Sequence, residues 1–78
     1  MTPRTSRTRA HAIGELAIGG DWACAHGDFG TLAYLARRLS TYVAEPLHCQ
    51  LAALAELCRS DPGRAVEQWS HVRDLLYQ

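Results

Sequence analysis

Residues 60–76 read SDPGRAVEQWSHVRDLL, and this stretch contains the clearest folding signal of the chain. Asp61 followed by a proline is typical of a helix start, because the carboxylate caps free backbone N–H groups and proline fits the first turn. Ala65, Trp69 and Val72 then recur at intervals of four and three residues, which places them on one helix face. The stretch therefore predicts an amphipathic helix that begins directly after Asp61.

The same layout occurs 33 residues earlier in the chain. Asp28-Phe29-Gly30 corresponds to Asp61-Pro62-Gly63, and an equivalent apolar stripe follows at Leu32, Ala36 and Leu39. Such a fixed period is the sequence signature of a repeated structural unit. The chain is therefore predicted to form two helical hairpins of about 33 residues each.

Two further segments have helical periodicity, and no stretch alternates as a strand would. One spans about residues 9–26, and the other starts at Pro46. Their apolar stripes consist of Ile13, Leu16, Ala17, Gly20 and Cys24 in the first and of Leu47, Leu51, Leu54 and Cys58 in the second. We predict an all-α fold of four antiparallel helices, with hairpins at about 9–43 and 46–77 in a single domain that spans 9–78.

The charge of the 78-residue chain sums to zero but is unevenly placed. Arg4, Arg7 and Arg9 leave five arginines against eight acidic residues in the rest of the chain. We predict that residues 1–8 form a disordered basic arm, since termini are usually disordered unless they are tied down. The mildly acidic remainder disfavours a nucleic-acid partner.

Composition also bears on the compartment. No apolar run approaches the roughly 20 residues that a membrane span needs, and the N-terminus lacks the apolar stretch of a signal peptide. Three cysteines without paired short spacings disfavour a disulfide framework. The sequence therefore predicts a cytoplasmic protein with reduced thiols and no membrane partner.

The 33-residue period and the run at 60–76 resemble the second half of a tetratricopeptide repeat. In that family, a turn that often carries Gly-Asp leads into a helix with small, aromatic and small residues four and then three positions apart. Ala65, Trp69 and Val72 follow that order, with valine as the last of the three, and Gly27-Asp28 supplies the turn of the first hairpin. The resemblance covers about residues 13–76, and its first helices match the family pattern less closely. It implies a scaffold that binds segments of other proteins.

A second apolar stripe of the first helix supports an interaction role independently. Ile18, Trp22 and Ala25 lie roughly opposite the other stripe of that helix at about 100° per residue. They must meet another helix of the chain, a second copy or a partner. Because about three stacked repeats are normally needed for stability, two hairpins favour self-association. We predict a non-enzymatic protein-interaction module, a homodimer, with these three residues at the interface. The alternative is that Trp22 packs on the third helix within a compact four-helix domain.

The motif HGDFG at residues 26–30 resembles the H-G-D catalytic loop of aminoglycoside-type phosphotransferases. That loop has an asparagine five positions after its aspartate, where this chain has Ala33. The chain also contains no lysine for a phosphate-binding loop. We therefore expect no enzymatic activity, and we expect Gly27 to end one helix and Asp28 to cap the next.

Metal or thiol chemistry is a further alternative. Cys24 and His26 form C-x-H, and His48 and Cys49 are adjacent. Residues one or two apart on a helix project in different directions, so neither pair has the spacing that lets two ligands converge. We predict no metal site and no cofactor, with Cys24 and Cys58 as buried neutral thiols. A small metal-binding or thiol protein is the alternative.

The principal rival function is DNA binding. Residues 31–57 resemble a helix-turn-helix, in which TLAYLARRL would be the first helix and the next would enter the major groove. Pro46 falls near the start of that second helix, which has no arginine between Ala44 and Leu57 to reach bases or phosphates. The basic arm is the feature that supports this rival.

Overall fold

The computed structural model describes residues 4–77, with side chains from residue 10 onward. It contains four helices in chain order: α1 (Arg4–His26), α2 (Phe29–Ser40), α3 (Leu47–Ser60) and α4 (Pro62–Leu76). Each helix packs on the helix that follows it, and α1 also contacts α4. No strand occurs within residues 4–77, so the predicted all-α fold of helical hairpins is confirmed.

Helix α1 is longer than the sequence indicated. It begins at Arg4, so residues 4–8, which we assigned to a disordered arm, are helical. No proline or glycine interrupts the chain from Arg4 to Ile13, and arginine and alanine are good helix formers. The remaining positions of that arm, 1–3, lie outside the described residues.

The extra length makes α1 extend beyond the other helices. Its 23 residues correspond to about 34 Å, whereas α2, α3 and α4 have 12, 14 and 15 residues. The longest dimension of the molecule is 44 Å. Among residues 10–26, the first buried side chain of α1 is that of Ala17. The first turns of α1 therefore lie beyond the packed body.

The turn between the hairpins also differs in detail from the prediction. The first hairpin was predicted to extend to about residue 43, but helix α2 ends at Ser40, and Val43 lies partly buried in the turn against the core. Pro46 occupies the N-cap position of α3 and the helix itself begins at Leu47. Both differences shift a boundary by one to three residues and leave the order of helices unchanged.

Gly27 and Asp28 form the turn between α1 and α2 as predicted. Gly27 has φ 68°, the left-handed conformation that favours glycine, and the N–H of Asp28 donates to the carbonyl of Ala23 at 2.9 Å. The N–H of Gly27 donates to the carbonyl of Cys24 at 3.3 Å, which completes a Schellman motif. The Asp28 carboxylate then accepts from the backbone N and hydroxyl of Thr31 at 3.2 and 2.7 Å.

Asp61 repeats this capping role 33 residues later. Its carboxylate accepts from the backbone N of Arg64 at 3.3 Å, and Pro62 follows in the first turn of α4. The two aspartates therefore start equivalent helices in the two hairpins, as their spacing predicts.

The Asp28 cap predicts a pH effect. The two hydrogen bonds from Thr31 hold the pKa of Asp28 below its ordinary value. A group with a lowered folded-state pKa stabilises the fold above its unfolded-state pKa, and this stability is lost as the pH falls below about 4. We expect the wild type to melt at a higher temperature than Asp28→Ala at pH 7, with the gap shrinking in acid. Asp28→Asn, which keeps an acceptor oxygen but no negative charge, should show a smaller gap at pH 7, and this gap should also shrink in acid as the wild-type carboxylate is protonated. Equal gaps at both pH values for Asp28→Ala would contradict the assignment.

The buried core draws on all four helices. The buried apolar residues are Ala17, Ala23, Leu32, Ala36, Leu39, Leu51, Leu54, Ala55, Cys58, Ala65, Trp69 and Val72. Residues that correspond across the 33-residue period are buried in both hairpins, as at Ala36 and Trp69. The contribution of α1 to this core is made of small side chains, so its backbone lies close to its neighbours.

Trp69 joins the first helix to the last. Its indole lies against the backbone of Gly20, where an added Cβ would lie 2.9 Å from Cε2 of the ring and closer still to two other ring atoms. The indole Nε1–H donates to Oδ1 of Asp21 at 2.8 Å, and Arg73 donates to the same oxygen at 3.1 Å. On the other side of α1, a Cβ on Gly19 would lie 3.0 Å from Leu35 of α2. The Gly-Gly pair therefore lets α1 approach both α4 and α2.

Candidate interaction surface

Ile18, Trp22 and Ala25 lie in one exposed line along α1. Ile18 is 66% exposed and Trp22 is 52% exposed, and Ala25 is exposed as well. His11 and Gly14 continue this line toward the N-terminus at helical spacing. We call His11, Gly14, Ile18, Trp22 and Ala25 the outer face of α1. The alternative in which Trp22 is buried against the third helix is not what the structure shows, because about half of the residue is exposed and its ring stacks on His26 of its own helix.

Packing on the opposite side explains why this face points outward. Ala17 and Gly20 face the core, and Gly19 contacts α2 through Leu35. A helix held by α2 on one flank and α4 on another cannot turn its third side inward. Within the part of the chain whose side chains are described, residues 10–77, no helix packs over the outer face.

The Trp22 side chain is held in place by its neighbour one turn later. The rings of Trp22 and His26 stack with centroids 4.1 Å apart and planes 18° apart. Nδ1 of His26 lies 2.9 Å from the carbonyl oxygen of Trp22, and because a carbonyl only accepts, Nδ1 carries the proton. A side chain with one fixed orientation loses less entropy when a partner covers it.

The other end of the outer face carries an imidazole beside a carboxylate. Nε2 of His11 lies 3.1 Å from Oε2 of Glu15, one turn along the helix, and both side chains are largely exposed. Such an exposed pair contributes little to stability. It does place two polar groups beside the apolar line.

The cysteines are poorly disposed for thiol chemistry. Burial raises the pKa of the Cys58 thiol, and burial together with the Asp21 carboxylate raises the pKa of the half-buried Cys24 thiol. Cys49 is exposed, but its thiol donates to Oε2 of Glu45 at 3.0 Å, and this bond raises the pKa of Cys49. Because the thiolate is the nucleophile, all three shifts lower reactivity.

Alkylation by iodoacetamide at neutral pH tests this assignment. We expect slow labelling of Cys49 and still slower labelling of Cys24 and Cys58, which need the fold to open. Glu45→Gln removes the negative charge that disfavours the thiolate, so it should accelerate labelling of Cys49 several-fold and leave the other two unchanged. Site-resolved mass spectrometry measures the three rates. A rate for Cys49 that does not respond to Glu45→Gln would show that the hydrogen bond does not control the thiol.

The structure does not bring the candidate metal ligands together. His26 binds the carbonyl of Trp22, and Nδ1 of His48 donates to the carbonyl of Ser40 at 2.7 Å. Within the described residues, no cluster of three or more His, Cys, Asp or Glu side chains has metal-binding geometry.

The residues of the two remaining rival motifs, the kinase-like loop and the helix-turn-helix, have structural roles. Both carboxylate oxygens of Asp28 in HGDFG accept from Thr31, so the residue acts as a helix cap. The helix-turn-helix segment corresponds to α2 and α3, and the basic residue that α3 carries, Arg59, lies in its last turn.

Comparison with protein-family models, curated proteins and solved structures finds no match for this chain. The tetratricopeptide resemblance is therefore supported only by the helical architecture and by the residues quoted above. Within residues 4–77, no helix combines the length and the apolar character needed to cross a membrane.

The contact between α1 and α4 is the feature that sequence reasoning missed. Asp21 meets Trp69 and Arg73 across 48 and 52 residues of chain, so no local spacing indicates the contact. The stack of Trp22 on His26 could have been predicted from the sequence, because residues four apart are neighbours on a helix.

Proposed function

We propose that the chain is a non-enzymatic protein-interaction module that docks a protein helix on the outer face of α1. The observation that carries the proposal is the uncovered pair of Ile18 and Trp22, side by side on one helix. Exposed apolar residues scattered singly are normal, but adjacent ones on a rigid helix are typical of contact sites.

The chemistry of the face supports docking of another helix. Tryptophan is enriched among the residues that dominate binding energy, and the stack on His26 keeps the Trp22 ring in one position. The line formed by Gly14, Ile18 and Ala25 has the spacing that one helix presents to another. The tetratricopeptide resemblance points to the same class of function.

Site-specific photo-cross-linking in the native host tests the proposal. A benzophenone amino acid at Ala25 should form a covalent adduct, whereas the same probe at Glu67, an exposed position of α4, should not. Adding Ile18→Ser and Trp22→Ser should abolish the adduct at 25 while circular dichroism shows an unchanged helix content. Absence of an adduct, or equal adducts at both positions, would refute the proposed function. Retention on heparin that is lost on deletion of residues 1–9 would instead favour the DNA-binding rival.

A further inference from the structure

We infer that the outer face of α1 docks on the same face of a second copy, with the two α1 helices antiparallel and crossing at Ile18. The inference rests on the proposed function, since it names the occupant of that docking surface. Three properties of the described residues carry it: the order of side-chain sizes, the distribution of charge and the length of α1.

The outer face carries residues of unlike size on the two sides of Ile18. Trp22 stands four residues after Ile18 and Gly14 four residues before it, while Ala25 and His11 stand seven residues away on either side. In an antiparallel pair that crosses at Ile18, Trp22 of one copy lies level with Gly14 of the other, and Ala25 lies level with His11. Trp22 and His11 then each have a small residue beside them, while the two copies of Ile18 pack on each other at the crossing.

Gly14 provides the space that this arrangement needs. A Cβ added at Gly14 would meet nothing within 4 Å, so the surface beside it is open. In the proposed pair, the indole of Trp22 from a second copy occupies this open space. A parallel pair would instead place two copies of Trp22 together and two copies of Gly14 together, with crowding at one level and a gap at the next.

Charge also favours an antiparallel second copy. Residues 1–9 carry three arginines, whereas residues 10–77 carry five arginines and eight acidic side chains. The first turns of α1 extend beyond their own body. In the antiparallel pair they run beside the end of the other α1, level with its Asp28. The net charge of residues 1–9 is thus opposite in sign to that of the part of the second copy beside which they run.

The carboxylates near the centre of the pair do not oppose the association. Glu15 is paired with His11, and Asp21 accepts from Trp69 and Arg73 within its own chain. Each negative charge therefore has its counter-charge or donor before a second copy approaches.

The size of the face sets the expected affinity. A strip about 34 Å long and about 10 Å wide buries on the order of 700 Å² over both copies, which is small for a specific interface. We therefore expect a reversible dimer with a dissociation constant on the order of 10 µM. The arginines at its ends should make it weaken as salt is added.

Sedimentation equilibrium of the purified chain tests the association. The wild type should show a monomer–dimer equilibrium, and Trp22→Ser should weaken it at least about tenfold. Gly14→Leu is the decisive variant. In the monomer the new side chain enters open space, and leucine is a better helix former than glycine, so at low concentration the variant should melt no lower than the wild type. In the dimer the leucine would fill the space that Trp22 of the other copy needs, so the variant should not dimerise. Val66→Ser, at a 39% exposed residue of α4, is the control that should leave the dimer unchanged.

Disulfide trapping tests the orientation. In a Cys49→Ser background, Ile18→Cys should form a covalent dimer on oxidation, because the two Ile18 positions meet at the crossing. Ala25→Cys should not, since its two copies lie about 21 Å apart along the pair, beyond disulfide reach. A parallel pair would link both variants and would overturn the antiparallel arrangement.

The outcomes separate this inference from the proposed function. A wild type that stays monomeric at about 500 µM, or a Gly14→Leu variant that still dimerises, overturns the second-copy inference. If the Ala25 photo-probe then captures a different protein in a manner that depends on Trp22, the proposed function stands without it. If no adduct forms at all, both fail.

Discussion

Trp69→Ala is expected to remove a large part of the stability of the fold, lowering the free energy of unfolding by about 4 kcal/mol. The side chain is only 2% exposed and contacts α1 along the backbone of Gly20. Its loss would leave a cavity between α1 and α4 and would remove the indole donor from Asp21. A domain of this size has a total stability of about 4 to 12 kcal/mol, so this loss is between about a third and the whole of it.

Urea denaturation followed by far-UV circular dichroism measures this effect. Trp22→Ala is the matched control, because it removes the same side chain from an exposed position. At a concentration where the chain is monomeric, it should cost less than about 1 kcal/mol. Trp69→Phe keeps an aromatic ring but removes the Nε1–H donor, and should cost about 1 to 3 kcal/mol. Equal losses for the two alanine variants would mean that Trp69 does not join α1 to α4.

The local features of the fold were predictable from the sequence because short-range physics controls them. The capping of α2 by Asp28 and of α4 by Asp61 follows from side chains that reach backbone groups three residues away. The buried stripes of α2 and α4 follow from helical periodicity. The start of α1 was predicted several residues too late, because the bias toward disorder at termini was given more weight than the helix propensity of residues 4–9.

The contacts between distant helices were not predictable in the same way. By helix propensity alone, Gly19 and Gly20 would be the weakest positions of the first helix, since glycine disfavours helices. In the fold they are the positions where α1 comes closest to α2 and α4. Only the three-dimensional arrangement shows that the absence of a side chain is what the packing needs, and no spacing rule in one sequence indicates it.

The candidate interface was predictable from the sequence only in part. Periodicity placed Ile18, Trp22 and Ala25 on a second stripe, and the structure leaves that stripe uncovered. Their role in binding stays a prediction. The same glycines that hold α1 against α2 and α4 fix the direction in which this stripe points. The stability of the α1–α4 contact and the exposure of the outer face therefore both depend on where α1 lies. A variant that displaces α1 is therefore expected to impair association as well as folding.

Gly20→Ala is the second substitution with a large expected effect. It should destabilise the fold, whereas helix propensity alone predicts that it stabilises the fold. Replacing a helical glycine with alanine normally stabilises by about 1 kcal/mol. At Gly20 the new Cβ would overlap the Trp69 ring, so α1 and α4 must move apart or the indole must leave its hydrogen bond to Asp21. We expect a net loss of about 2 kcal/mol in the free energy of unfolding, measured by urea denaturation.

Two glycine variants and one double variant make the result specific to this contact. Gly30→Ala, whose Cβ would meet only Asp28 Oδ1 at the ordinary distance of 3.9 Å, should be neutral or slightly stabilising. Gly19→Ala, where the end of the flexible Leu35 side chain can give way, should lie between the two. Trp69→Phe has a smaller ring, so it should reduce the cost of Gly20→Ala, and the double-mutant cycle should show a coupling of about 1 kcal/mol. If Gly20→Ala stabilised the protein as much as propensity alone predicts, the indole could not lie against α1, and the arrangement that turns Trp22 outward would have to be abandoned.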